Sequence, residues 1–93
     1  MKITDIPGYD PEDSHGFGDC DALESWLDEH SFECIWERGQ GNQRAWHHSD
    51  GLLVLTMPFW INPANGEFRV IEVKDRKEAD YQTLEWWREW WRE

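Results

Sequence analysis

The chain has 93 residues, enough for one small domain spanning residues 1–93, and 39% of them are hydrophobic, including eight Trp. Its 20 Asp and Glu outnumber its nine Lys and Arg, and the net charge is −11. This balance argues against a protein that coats nucleic acid through a basic face, and against a surface that anionic membranes attract. The aromatic content favours a folded core over a disordered acidic tail.

The sequence indicates no membrane span and no secretory signal. No apolar run approaches the roughly 18 residues that a spanning helix needs, and residues 1–7 lack the apolar core of a signal peptide. We therefore expect a cytoplasmic protein, in the host cytoplasm if it is phage-encoded, with Cys20 and Cys34 reduced. No resident cofactor is expected.

The acidic residues are concentrated at one end of the chain. Residues 1–37 contain eleven acids and one base, whereas residues 38–66 carry a net charge of +1 and residues 67–93 a net charge of −2. This asymmetry predicts an electronegative face that meets a basic partner. A solvated surface that only aids solubility is the alternative.

The first elements in chain order are an acidic loop and a helix. Gly, Pro, Asp and Ser dominate residues 5–20, which predicts the loop. A helix is predicted to begin at Asp21, with Glu24 completing a capping box. On its helical wheel the apolar side chains share one face, and Asp21, Glu24 and Asp28 line the opposite face.

Strands separated by turns follow this helix. They are predicted over residues 32–38, 43–48, 52–57 and 67–74, with turns at 39–42, 49–51 and 62–66. The continuous apolar run from 52 to 57 is typical of a strand that is covered on both faces. A terminal helix is predicted over residues 76–92. This order predicts an α+β domain, with an antiparallel sheet of three to four strands, an N-terminal helix and a C-terminal Trp-rich helix.

The terminal helix contains four Trp. Together with Leu84 they spread over about 160° of the helical wheel, which is broader than one sheet-facing stripe. Either all four lie in the core, or part of this face forms a homodimer or partner contact. Trp86 and Trp90 are the candidate contact residues, since Trp is enriched at interface hot spots.

A second pattern is typical of metal-dependent catalysis. Asp50 precedes the apolar strand, Glu72 and Lys74 form an E-x-K on the next strand, and Gln82 lies on the following helix. Two carboxylates suit Mg²⁺, and an ammonium group stabilises developing negative charge. The alternative is that these are ordinary solvent-facing residues.

This arrangement resembles the PD-(D/E)xK nuclease superfamily over residues 21–84. The resemblance implies that Asp50 and Glu72 are metal ligands and that Lys74 is the catalytic lysine. It also implies supporting roles for Glu24 and Gln82. The sequence departs from the family pattern at Ser49, where the family has Pro, and no strand follows the last helix. The acidic N-terminal segment would also repel DNA.

The separation of Asp50 and Glu72 depends on strand register. A long loop between the two strands places Glu72 opposite Gly51, beside Asp50. A tight hairpin around residues 62–66 places it opposite Thr56, about 20 Å from Asp50 at the rise of a strand. Local residues support both registers, so both stay open.

The sequence supports two functions of different classes. The preferred one is a small, non-catalytic acidic protein that blocks a basic, nucleic-acid-binding surface of a partner. In this it has a general likeness to phage-type inhibitors that mimic DNA, such as anti-restriction and anti-CRISPR proteins. Its candidate binding residues are Asp21, Glu24, Asp28, Glu29, Glu33 and Glu37. The alternative is a Mg²⁺-dependent nuclease that cleaves DNA. A third, weaker hypothesis is a toxin-like RNA-binding domain in which His47 and His48 are catalytic.

Overall fold

The computed structural model describes residues 1–12, 15–38, 43–58 and 66–91, with the backbone alone at 15–18, 58 and 89–91. Its elements are a 3₁₀ turn at Ile3–Asp5, β1 His15–Gly18, α1 Cys20–Glu29, β2 Glu33–Arg38, β3 Gln43–His48, β4 Leu52–Pro58, β5 Gly66–Glu72 and α2 Arg76–Trp91. The predicted turns at 39–42 and over most of 62–66 lie outside the described residues. The α+β class, the two helices and the antiparallel sheet are confirmed.

The sheet has five antiparallel strands in the order β1-β5-β4-β3-β2. The central strand, β4, is buried at every position from 52 to 57, as its apolar run predicts. The strand β1 is an addition to the predicted sheet, within the segment predicted as loop. Two of its four residues are glycines, which have low strand propensity, so its conformation depends on pairing with β5.

Alternating residues of β4 separate two hydrophobic clusters, one on each face of the sheet. Leu52 and Val54 belong to the cluster that packs against α1 and the N-terminal segment. Leu53 and Leu55 belong to the cluster that packs against α2. The two helices therefore cover opposite faces of the sheet.

The start of α1 differs from the prediction. Asp19 is the N-cap, and its side chain accepts a hydrogen bond from the Ala22 backbone N–H at 3.0 Å. The side chains that α1 buries are Cys20, Leu23, Glu24 and Leu27. These positions follow the i, i+3, i+4, i+7 spacing of one helix face, which places Glu24 inside the molecule.

The β4–β5 register is close to the long-loop alternative. Glu72 lies opposite Leu52, one residue from the predicted position, and the tight-hairpin register is wrong. Just beyond the ladder, the Val73 N–H donates to the Gly51 carbonyl at 2.9 Å. Gly51 has φ +87°, and a Cβ there would lie 2.7 Å from the Val73 oxygen, so this close crossing requires glycine.

The buried thiol of Cys20 links stability to pH. Burial, together with the nearby Glu24 carboxylate, raises the pKa of Cys20 to about 11, against 9.0 for an ordinary thiol. The folded state therefore favours the protonated thiol. This contribution is full below pH 9.0 and is lost as pH rises towards 11.

We predict that Cys20→Ala reduces the alkaline loss of stability. Urea unfolding at pH 8 and at pH 10.5 measures that loss, and the wild type should lose about 2 kcal/mol more than the variant between these values. Cys34→Ala is the control: Cys34 is exposed, and partial burial also raises its pKa, so this variant should recover less of the alkaline loss than Cys20→Ala does. An equal loss in the wild type and Cys20→Ala would contradict the prediction.

Candidate functional site

The Glu24 carboxylate is the centre of a buried polar network. It is 9% exposed, and the Arg44 Nη1 lies 2.9 and 3.0 Å from its two oxygens. Its Oε2 also accepts hydrogen bonds from Trp46 Nε1 at 3.2 Å and Thr56 Oγ1 at 3.1 Å. Because Arg44 and Trp46 lie on β3 and Thr56 on β4, this one side chain joins α1 to two strands.

Arg44 extends the network to the edge strand. Its Nε donates to Glu37 Oε2 at 3.0 Å. Burial lowers the pKa of Arg44, but the hydrogen bonds and charges of Glu24 and Glu37 outweigh burial and leave that pKa above its ordinary value. The guanidinium is therefore charged and is shared between one buried and one exposed carboxylate.

The continuous row of acids expected from the sequence is not present. Glu24 is buried, Glu37 is ion-paired with Arg44, and Glu33 lies 3.8 Å from Arg76 of α2, away from α1. The predicted acids that remain exposed on α1 are Asp21, Asp28 and Glu29. A helical wheel groups Glu24 with its neighbours by polarity, whereas its hydrogen-bonding partners lie 20, 22 and 32 residues away.

The exposed acids instead form a layer with the N-terminal segment. Residues 1–12 pack on the same face of the sheet as α1, since Ile3, Ile6 and Tyr9 contact that core cluster. We call residues 1–12 and 19–30 the acidic layer. It has one base, Lys2, and seven exposed carboxylates, at Asp5, Asp10, Glu12, Asp19, Asp21, Asp28 and Glu29.

The opposite layer is electrically balanced. Residues 74–88, which contain most of α2, carry four acids and four bases. The sheet thus separates a negative layer from a nearly neutral one. The charge asymmetry along the sequence becomes an asymmetry between two faces of the molecule.

The residues of the nuclease resemblance are distributed over several surfaces. Asp50 lies near the same sheet end as Glu72, but its carboxylate pairs with the Met1 amino group, and His48 Nδ1 lies 3.7 Å away. The hydrogen bond from that amino group holds the pKa of Asp50 below its ordinary value. No group of three or more His, Cys, Asp or Glu that could hold a metal ion occurs among the described residues.

The remaining members of that set are divided between the two faces of the sheet. Glu72 pairs with Leu52 and so shares the α1 face of the sheet, whereas Gln82 lies on α2, which covers the other face. Lys74 is two residues beyond the end of β5 rather than on the strand. The E-x-K spacing therefore does not align Glu72 and Lys74 as strand neighbours.

The Trp residues of α2 contribute to the core. Trp86 and Trp87 are each 2% exposed, and Trp36 of β2 stacks on Trp87 at 4.9 Å. Trp86 is therefore not available as a surface contact, and the Trp90 side chain lies outside the described part of the structure. Among the side chains of α2 that the structure describes, the large apolar ones that are exposed are Tyr81 and Leu84, at 61% and 52%.

A cavity of about 430 Å³ opens between the N-terminal segment and α1, and the sequence did not predict it. Its walls are formed by Pro7, Gly8, Asp19, Ala22, Leu23, Trp26 and Phe68. It requires residues from three separate parts of the chain. The available sequence signal was an aromatic residue, Trp26, on the apolar face of a helix next to an acidic loop.

Comparisons with known proteins provide no assignment: protein-family models, curated proteins and solved structures contain no match to this chain. Among the residues that the structure describes, no helix is long and apolar enough to cross a membrane.

We predict that Glu24→Gln destabilises the protein by about 2 kcal/mol, because it leaves a partly buried Arg44 without its full countercharge. Urea denaturation measures the effect. Glu29→Gln, an exposed substitution on the same helix, is the control and should change stability by less than about 0.5 kcal/mol. Equal effects of the two substitutions would contradict a structural role for Glu24.

Proposed function

We propose that this protein is a non-catalytic binding protein whose acidic layer docks on a basic, nucleic-acid-binding surface of a partner protein. The observation that carries the proposal is the separation of charge: seven exposed carboxylates on one layer, against a balanced layer on the other. A surface that binds phosphates through Lys and Arg attracts carboxylates by the same charge.

The exposed acids of α1 suit a basic groove. Asp21 and Asp28 are seven residues apart on α1, which places them about 10 Å from each other along the helix axis. Glu29 extends the negative surface beside Asp28. Because the balanced layer lies on the far side, the field of the molecule orients the acidic layer towards a basic partner during approach.

Burial of Glu24 sharpens this proposal. The network already uses that carboxylate within the fold, so it is separated from the acids that contact a partner. The binding set is therefore reduced to Asp21, Asp28 and Glu29 of α1, with the N-terminal acids beside them. More specifically, we propose that the protein is an inhibitor of the anti-restriction or anti-CRISPR kind, which prevents nucleic acid from binding to the partner.

We predict that neutralising three acids of α1 weakens partner binding at least about tenfold, whereas neutralising three acids within residues 75–80, at the start of α2, does not. The test variant is Asp21→Asn/Asp28→Asn/Glu29→Gln, and the charge-matched control is Asp75→Asn/Glu78→Gln/Asp80→Asn. The partner is first captured from a host lysate on the immobilised wild-type chain at about 0.05 M NaCl and released at about 0.5 M NaCl. It is then identified and purified. Wild-type chain should then displace DNA from that purified partner.

Two results would overturn the proposal. One is equal binding of the partner by the test and control variants. The other is Mg²⁺-dependent cleavage of DNA by the wild type that Lys74→Ala abolishes, which would favour the nuclease alternative.

A further inference from the structure

The cavity beneath the N-terminal segment is lined mainly by apolar residues, together with the acidic residue Asp19. Its volume, about 430 Å³, lies towards the lower end of the range of about 300–1,000 Å³ that is typical of small-ligand sites. Among the residues that the structure describes, Asp19 is the acidic residue that lines it. Most of its lining belongs to the acidic layer, so a ligand inside it lies on the negative side of the molecule.

The aromatic walls are held in place by their own contacts. Trp26 stacks on His30 with ring centroids 4.0 Å apart and meets Phe32 at 6.2 Å. Phe68 is 6% exposed, and its ring lies so close to Gly8 that a Cβ there would approach Cζ to 2.9 Å. Indole and phenyl rings attract cations through their electron-rich faces.

The carboxylate of Asp19 is also fixed. Its Oδ1 accepts the N-cap hydrogen bond from Ala22, and the described hydrogen bonds of this side chain involve that oxygen alone. A full negative charge here, with Asp21 nearby, outweighs the partial positive charge of about one half at the start of a helix. The cavity therefore favours a cation with apolar character.

We propose that this cavity receives the guanidinium of an arginine side chain from the basic partner, an inference that rests on the proposed function. Guanidinium is planar, stacks on aromatic rings and is less strongly hydrated than the ammonium of lysine, which suits walls formed by Trp26 and Phe68. A smaller cavity of about 250 Å³, between β2 and α2, differs in charge from the cavity at Asp19, because its walls include Arg38 and Arg88. Positive side chains there disfavour a cation.

The binding test uses the whole chain with N-acetyl-arginine amide as the probe and N-acetyl-citrulline amide as its neutral, nearly isosteric control. An NMR titration should show saturable shifts of the Trp26 indole signal, which Trp26→Phe assigns. Citrulline should bind at least about tenfold more weakly, because it lacks the charge that the carboxylate and rings recognise. Equal binding of the two probes, or no saturable shift, would overturn the proposal.

Asp19→Asn tests the carboxylate without removing the cap, because Asn and Asp are equally good N-caps. It should weaken arginine binding at least about fivefold, whereas Asp80→Asn, which makes the same charge change on exposed α2, should change it less than about twofold. Equal weakening by both variants would show a general charge effect and would overturn the proposal that this cavity binds the guanidinium.

Partner capture separates this inference from the proposed function. If Asp19→Asn retains the partner while the Asp21/Asp28/Glu29 variant loses it, the arginine pocket is wrong and the acidic surface stands. If both variants retain the partner, the proposed function itself is wrong. Weakened capture by both supports the two proposals together.

Discussion

The buried carboxylate of Glu24 is the interaction on which the rest of this structure depends. It holds α1 against the sheet through Arg44, Trp46 and Thr56, so a polar network is built into an otherwise apolar layer. A buried charge is stable only when it is paired and hydrogen-bonded. Since those partners lie on two strands, the network also determines which face of α1 points outward.

The outward face then determines what the molecule presents to others. With Glu24 turned inward, Asp21, Asp28 and Glu29 remain exposed, beside an N-terminal segment that packs on the same side of the sheet. The balanced charge around α2 lies on the opposite side. Structure and proposed function are connected here, because the network that stabilises the fold buries Glu24 and leaves the other acids of α1 exposed.

Much of the fold could be predicted because the signals were local. The apolar run of β4 and the strand patterns of β2 and β3 identified their elements directly. The missing features depend on tertiary contacts. The strand β1 contains two glycines and forms through pairing with β5. The β4–β5 register differs by one residue from the nearer prediction, because cross-strand pairing determines it and local residues do not.

The candidate site was harder to predict for the same reason. Polarity on a helical wheel cannot show that Glu24 has buried partners far along the chain. Aromatic content cannot show that Trp86 belongs to the core while Trp26 lines a cavity. The overall charge asymmetry was visible in the sequence, but the identity of the exposed acids required the packing of α1.

The most direct test of the acidic layer as a binding surface is an NMR titration of isotopically labelled protein with a nona-arginine peptide, read as backbone amide shifts. Shifts confined to residues 1–12 and 19–30, with residues 74–88 unchanged, are expected, because attraction should concentrate where carboxylates are unbalanced by bases. Shifts spread equally over both layers, or centred on α2, would contradict the assignment of the binding surface.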